Sequence, residues 1–150
     1  MMGNLLGTDQ VTQIGIVVKD IEKSRKAWAA MLGVSEPDII VTAGYDQAQT
    51  EYHGERSDAT AKLCFFHLGQ VAIELIEPDG KPSSWQDHLD QFGESVQHIA
   101  FVVPSMKEAR RNLAEAGMET IQTGEYTGGR YAYLETLKTL GVQVELLEND

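Results

Sequence analysis

Basic side chains are scarce: 12 Lys and Arg stand against 23 Asp and Glu among 150 residues, leaving a net charge of −11. Nucleic-acid binding draws on clustered Lys and Arg that displace counterions from phosphates, and no such cluster occurs along the sequence. The same deficit argues against an anionic membrane surface as partner. Cysteine is nearly absent. The single Cys64 permits no intrachain disulfide and no thiolate zinc site, and its place in the apolar run Leu63-Cys64-Phe65-Phe66 predicts a core residue. No apolar run reaches the roughly 18–20 residues that span a bilayer. The opening MMGNLLGTDQ lacks a basic stretch followed by a long apolar one, so the expectation is a soluble, cytoplasmic protein without a secretory signal. A small molecule or a metal cation remains open as partner, since surplus carboxylate is ligand chemistry as well as solubility.

The length suits one compact domain, and 42% hydrophobic with 23% charged residues is globular composition. An internal repeat organises it. Residues 13–33 read QIGIVVKDIEKSRKAWAAMLG and residues 98–117 read HIAFVVPSMKEARRNLAEAG. Each gives a short apolar strand, a polar turn and a helical pattern that stops at glycine. Asp20 and Ser105 are the predicted N-caps, Gly33 and Gly117 the stops. Ile21, Trp28, Met31 and Leu32 form one apolar stripe; Met106, Ala109, Leu113 and Ala116 form the other. A second matched pair follows, VAIELIE at 71–77 and VQVELLE at 142–148, identical at four of seven positions. Each is preceded by another strand, KLCFFHL (62–68) or RYAYLET (130–136), across Gly69 or Gly141. IIVTA (39–43) and ETIQTGEY (119–126) complete each half as strand, helix and three strands. A short amphipathic helix capped by Ser83 or Ser84 links the halves, and the polar stretch 44–61 is expected to be a functional or mobile loop.

Side chains alternate between the faces of a strand. Ile14, Ile16 and Val18 share one face of the first strand, beneath its helix, and Gln13, Gly15 and Val17 the other. Ile99, Phe101 and Val103 face the second helix, leaving His98, Ala100 and Val102 opposite. Glu74 lies with Ala72 and Ile76, and Glu145 with Gln143 and Leu147. Two repeat-related polar pairs therefore interrupt apolar strands: Gln13 with His98, and Glu74 with Glu145. A carboxylate in an apolar strand is costly unless it is paired or coordinates a cation. Two copies related by a pseudo-twofold would bring both pairs to one centre, with an imidazole, two carboxylates and an amide oxygen suited to a divalent ion. The competing reading leaves the glutamates exposed and His98 as a semi-buried structural histidine.

The segments QIGIVVKDIEKS, VAIELIEP, QHIAFVV and VQVELLE resemble the vicinal-oxygen-chelate (glyoxalase/bleomycin-resistance) superfamily over nearly the whole chain. The methylmalonyl-CoA epimerase-like branch is the nearest likeness. The resemblance implies an α+β fold of two tandem βαβββ modules, a curved mixed sheet around a metal-binding cavity. Module one would span about 11–78, the linking helix about 82–93 and module two about 95–148. It implies Gln13, Glu74, His98 and Glu145 as ligands of zinc, cobalt, nickel, manganese or magnesium, at about 2.0–2.2 Å if the ion is zinc. Glu145 is implied as the catalytic base, with Glu74 as its partner. Epimerases usually carry His at the first ligand position, so Gln13 departs from them and matches the ligand set of animal-type glyoxalase I.

One His and two Glu differ from the two His and one carboxylate of the extradiol dioxygenases, which favours isomerase or lyase chemistry. The expected activity is proton abstraction alpha to a thioester or carbonyl, as in methylmalonyl-CoA epimerase. Glyoxalase I-type lactoylglutathione lyase is the alternative, and a non-catalytic small-ligand binder is a reading of another class. The partner would be a small molecule, a CoA or glutathione thioester, and relatives commonly form homodimers; the first-strand edges are candidate contacts, and Trp85 either covers a partner surface or anchors the linking helix on the body. The second epimerase carboxylate has no counterpart in KLCFFHL, so Glu51 or Glu55 would substitute. Arg130, Tyr131 and Tyr133 are candidates for substrate binding, although Arg130 and the tyrosines fall on opposite strand faces; the other reading of Gly128-Gly129 is an ordinary turn. His53 and His88 are expected to be solvated.

Overall fold

The computed structural model describes residues 3–150. The first half contains β1 (Val11–Val17), α1 (Ile21–Leu32), β2 (Ile40–Val41), α2 (Tyr45–Ala48), β3 (Glu51–Tyr52), β4 (Glu55–Arg56), β5 (Ala61–Leu68) and β6 (Val71–Pro78). The linking helix α3 (Ser84–Phe92) follows, then β7 (Ser95–Val102), α4 (Met106–Glu115), β8 (Thr120–Tyr126), β9 (Gly129–Leu134), α5 (Leu137–Leu140) and β10 (Gln143–Asn149). All strands join one 10-stranded sheet in the order β2-β5-β6-β1-β7-β10-β9-β8-β3-β4. β1 runs parallel to β6 and β7 parallel to β10, while β1 and β7 meet antiparallel at the centre. This is the tandem βαβββ architecture, curled into a half-barrel.

Local chemistry sets the helix ends. The side chain of Asp20 accepts from Lys23 N, and Gly33 closes α1 in the left-handed region at φ 68°. The side chain of Ser105 accepts from Glu108 N, and that of Ser83 from Gln86 N. Each second glutamate of the repeated strand adds a further lock. Glu77 Oε1 accepts from Ile21 N at 3.0 Å, and Glu148 Oε2 from Met106 N at 2.8 Å. A carboxylate there satisfies an orphan amide and complements the positive end of the helix.

Both helices cover the outer face. Val18, Ile21, Ala29, Cys64, Phe66, Ile73 and Leu75 pack under α1, and Val103, Met106, Ala109, Leu113, Leu134, Val144 and Leu146 under α4. Burial pushes the Cys64 thiol up to about 11, as befits a core residue. Met31 is 68% exposed and Ala116 is also exposed, so each stripe is one residue shorter than its spacing predicts. Ala29 takes the place of Met31 against the sheet. On the concave face Val17, Ile76, Ile121 and Tyr133 gather around Trp85 of α3. Trp85 is thus an internal anchor, and β1 is paired on both sides. Neither can serve as the dimer contact expected of them.

The stretch 44–61 is ordered. His53 and Gly54 both take positive φ, 53° and 78°, and turn β3 into β4, as a tight hairpin requires. The hairpin pairs with β8, Glu51 opposite Thr123. Tyr52 hydrogen-bonds Asp87 of α3. No helix among the described residues is long and apolar enough to cross a membrane.

Candidate metal centre

Two cross-strand rows on the concave face build the site. Gly15 is level with Glu74 on β6 and with His98 on β7. One step along, Ala100 is level with Gln13 on β1 and with Glu145 on β10. The small residues in the middle of each row leave open the space into which the larger ones lean. A methyl group on Gly15 would overlap the His98 ring.

Glu74, His98 and Glu145 converge, with one ligand atom of each within 4.8 Å of the others, and all three are buried. His98 Nε2 lies 3.2 Å from Glu74 Oε1 and 3.3 Å from Glu145 Oε1. None of these three atoms has a hydrogen-bond partner. Gln13, half-buried, stands in the neighbouring row, one strand from Ala100 and two from Glu145.

The electrostatics of this cluster are unbalanced. Burial pulls the His98 imidazole down, but Glu145 and Glu74 outweigh it and push it up to about 10. Burial raises the Glu74 carboxyl, against the pull of His98. Two carboxyl groups buried against a single imidazole are costly unless a cation compensates them, because an uncompensated buried ion costs several kcal/mol. A neutral imidazole, two carboxylates and one divalent cation sum to zero. The donor set, the unpartnered atoms and the clearance over Gly15 therefore fit a divalent ion.

His98 reaches this position through an irregularity. Gly15 opposes His98 while Ile16 opposes Val96, so Gln97 is an extra residue in β7. Such a bulge lets neighbouring residues share a face. Gln97 is fully buried beside His98, its Oε1 2.9 Å from His98 Nδ1. Strict alternation would have turned it outward. Tyr133 stands edge-on to the His98 ring, centroids 5.1 Å apart, and accepts a hydrogen bond from Trp85 Nε1 at 2.9 Å.

Tyr131 and Tyr133 both lie on the concave side, packed with Trp85. Arg130 is on the outer face, bonded to Glu148 and, at 2.6 Å, to Asp150. There it shares a groove of about 560 Å³ with Lys107, Arg110 and Arg111 of α4, so the fold adds a fourth basic residue to three that are near neighbours in the sequence. Since that face is opposite the cluster, Arg130 does not join the two tyrosines. Glu51 and Glu55 are exposed on the β3–β4 hairpin. His53 is exposed as expected, but His88 is buried, with Nε2 2.9 Å from Ser95 Oγ.

The curled sheet of two repeated βαβββ modules therefore brings buried carboxylates and an imidazole together at its centre, a donor set that could hold a divalent ion. Residues 12–133 match the model of the Glyoxalase/Bleomycin resistance protein/Dioxygenase superfamily. The chain belongs to that superfamily, whose members are typically metal-dependent. It is 27% identical over 143 residues to the uncharacterised protein YqjC of Bacillus subtilis, covering 93% of this chain and 92% of that one. Methylmalonyl-CoA epimerase from Mycobacterium tuberculosis has the same fold: TM-score 0.69, 22% identity, 100% of this chain and 93% of the other. So does a variant of the Streptomyces coelicolor methylmalonyl-CoA epimerase in complex with 2-nitronate-propionyl-CoA: TM-score 0.64, 18% identity, 93% of this chain and 94% of the other.

Proposed function

We propose that the protein is a divalent-metal-dependent epimerase or isomerase that moves a proton on the carbon alpha to a thioester or carbonyl. One observation carries this reading: three unpartnered acceptor atoms of Glu74, His98 and Glu145 aim at one buried point. Gln13, one row away on the same face, completes the set. A divalent ion held by Gln13, Glu74, His98 and Glu145 would supply Lewis-acid stabilisation of the negative charge that develops as the proton leaves. Glu145 takes the proton, and Glu74, from the other half of the sheet, holds the second position from which a proton can be returned. Tyr131 and Tyr133 wall the concave side and exclude water from the reacting carbon. Arg130 has no part in that wall. Epimerase neighbours solved with methylmalonyl-CoA and 2-nitronate-propionyl-CoA support a CoA thioester as substrate; a soluble cytoplasmic setting, a homodimer and division at the module boundaries given above are further parts of the proposal.

A second reading, lactoylglutathione lyase, is favoured by Gln13 at the first ligand position. The two are separated by following deuterium exchange at the alpha carbon of methylmalonyl-CoA beside lactoylglutathione formation from methylglyoxal and glutathione. Glu145→Gln keeps an oxygen for the ion but cannot accept the proton, so it should retain the fold and lose whichever activity is seen. Full activity in that variant removes Glu145 as the base. Elemental analysis of protein purified without added metal identifies the ion. Protein that is metal-free and refuses added metal is a ligand-binding module instead. Sedimentation giving only a 16.6 kDa species at micromolar concentration overturns the homodimer.

A further inference from the structure

The imidazole of His98 has two nitrogens and only one can face the carboxylates. Its Nδ1 is 2.9 Å from Gln97 Oε1. Gln97 is in turn held at its other end: its Nε2 donates to Gln143 Oε1 and to Ser84 Oγ, each at 3.3 Å. In this arrangement the amide nitrogen of Gln97 donates to both partners, and its oxygen is the end that faces His98. The network continues through the first residue of α3: Ser84 N donates to Gln122 Oε1 at 2.8 Å, and Gln122 Nε2 to Tyr131 Oη at 3.0 Å. Gln97, Gln122, Gln143 and Ser84 are all buried. Three glutamines in the interior of a small domain are costly unless their hydrogen bonds are made, and here they are made to one another and to the site.

The geometry points to Gln97 as a positioning residue for the metal centre, which fixes the proton of His98 on Nδ1, turns Nε2 towards Glu74 and Glu145, and is itself oriented by Ser84 of the linking helix and by Gln143. This rests on the metal reading above. A ligand histidine whose far nitrogen is tied to an acceptor is held in one orientation and one tautomer, and loss of such a partner typically costs 10–100-fold in metal affinity. An imidazole cannot rotate to offer the wrong nitrogen while Gln97 Oε1 holds Nδ1–H. The bulge is what makes this possible, because it sends two successive residues of β7 to the same face. The strand therefore supplies both the imidazole and the group that orients it, and α3 reaches that imidazole through a chain of two hydrogen bonds.

The test compares Gln97→Met, which keeps the length and loses the acceptor, with Gln97→Glu, which keeps an acceptor for Nδ1–H. Zinc titration by calorimetry and the NMR signal of the His98 Nδ1 proton are read in each. The expected result is zinc binding weakened 10–100-fold and a lost or fast-exchanging Nδ1 proton in Gln97→Met. Gln97→Glu should bind zinc more tightly than Gln97→Met and keep the protected proton. Wild-type affinity or a retained Nδ1 signal in Gln97→Met overturns the assignment. Should Gln97→Met not fold, Gln143→Leu frees the amide without touching the imidazole, and unchanged zinc affinity there overturns it equally. Wild-type protein that binds no zinc removes the metal reading. The Nδ1 proton then decides the orienting role alone, its loss upholding that role and its persistence rejecting it.

Discussion

The ring of His98 occupies the space in which a side chain of residue 15 would lie, so the imidazole rests directly on the backbone of Gly15. The contact explains a glycine in the middle of a central strand, where it otherwise weakens the sheet. Gly15→Ala must push the ring away from Glu74 and Glu145. The expected result is a loss of about 1–3 kcal/mol in unfolding free energy, as for overpacking elsewhere, together with a loss of zinc binding. Denaturant unfolding and calorimetry measure the two, and unchanged zinc affinity would refute the stacking.

Removing one carboxylate should separate stability from binding. In the metal-free protein Glu74 and Glu145 crowd one imidazole, so Glu74→Gln is expected to leave the thermal midpoint unchanged or raise it. Zinc at a hundredfold excess over its Kd stabilises the wild-type protein by about 2.7 kcal/mol, a rise of roughly 5–10 °C for this size. The variant should lose that rise. Differential scanning calorimetry with and without zinc checks both halves of the expectation.

Binding should release protons. In the absence of metal, Glu145 and Glu74 overcome the effect of burial and hold His98 protonated up to about 10, and an ion must displace that proton to reach Nε2. Apparent zinc affinity is therefore expected to climb about tenfold per pH unit between pH 6 and 8, the slope for one proton. Calorimetry in buffers of different ionisation enthalpy counts the protons directly. A pH-independent affinity would mean that His98 is already neutral.

Trp85 offers an optical readout. Its Nε1 donates to Tyr133 Oη, and Tyr133 lies edge-on to His98, whereas Trp28 packs beside Phe66 in the layer under α1. Nickel or cobalt should quench the emission of a Trp28→Phe variant strongly and that of a Trp85→Phe variant weakly. Equal quenching of both would place the ion elsewhere.

The repeat and the two-residue alternation make much of this architecture legible before any coordinates. Both register with nearest neighbours in the chain, and the two glutamate pairs of VAIELIE and VQVELLE divide as alternation requires: Glu74 and Glu145 inward, Glu77 and Glu148 outward to the helix starts. Gln97 escapes the same logic because a bulge is an interruption of alternation, set by how β7 meets β1 and not by β7 alone. The hairpin within 44–61 escapes it because its partner, β8, is some seventy residues away, and two-residue strands carry no period of their own. Arg130 is legible in part: parity puts it outward, but only the structure shows that Glu148 and Asp150 hold its guanidinium.

The β3–β4 hairpin lies in the first half of the chain yet finishes the sheet of the second. A fragment starting at the linking helix would leave β8 with a bare edge, its amides and carbonyls free to recruit strands from other molecules. The two copies of the repeat are therefore not interchangeable, self-sufficient units. Dividing the chain between them trades one continuous sheet for an aggregation template, and splitting it after the hairpin is no safer, because β5 and β6 then lose β1. Genetic fusions and split-protein reporters built on this fold accordingly have to keep both copies on one polypeptide.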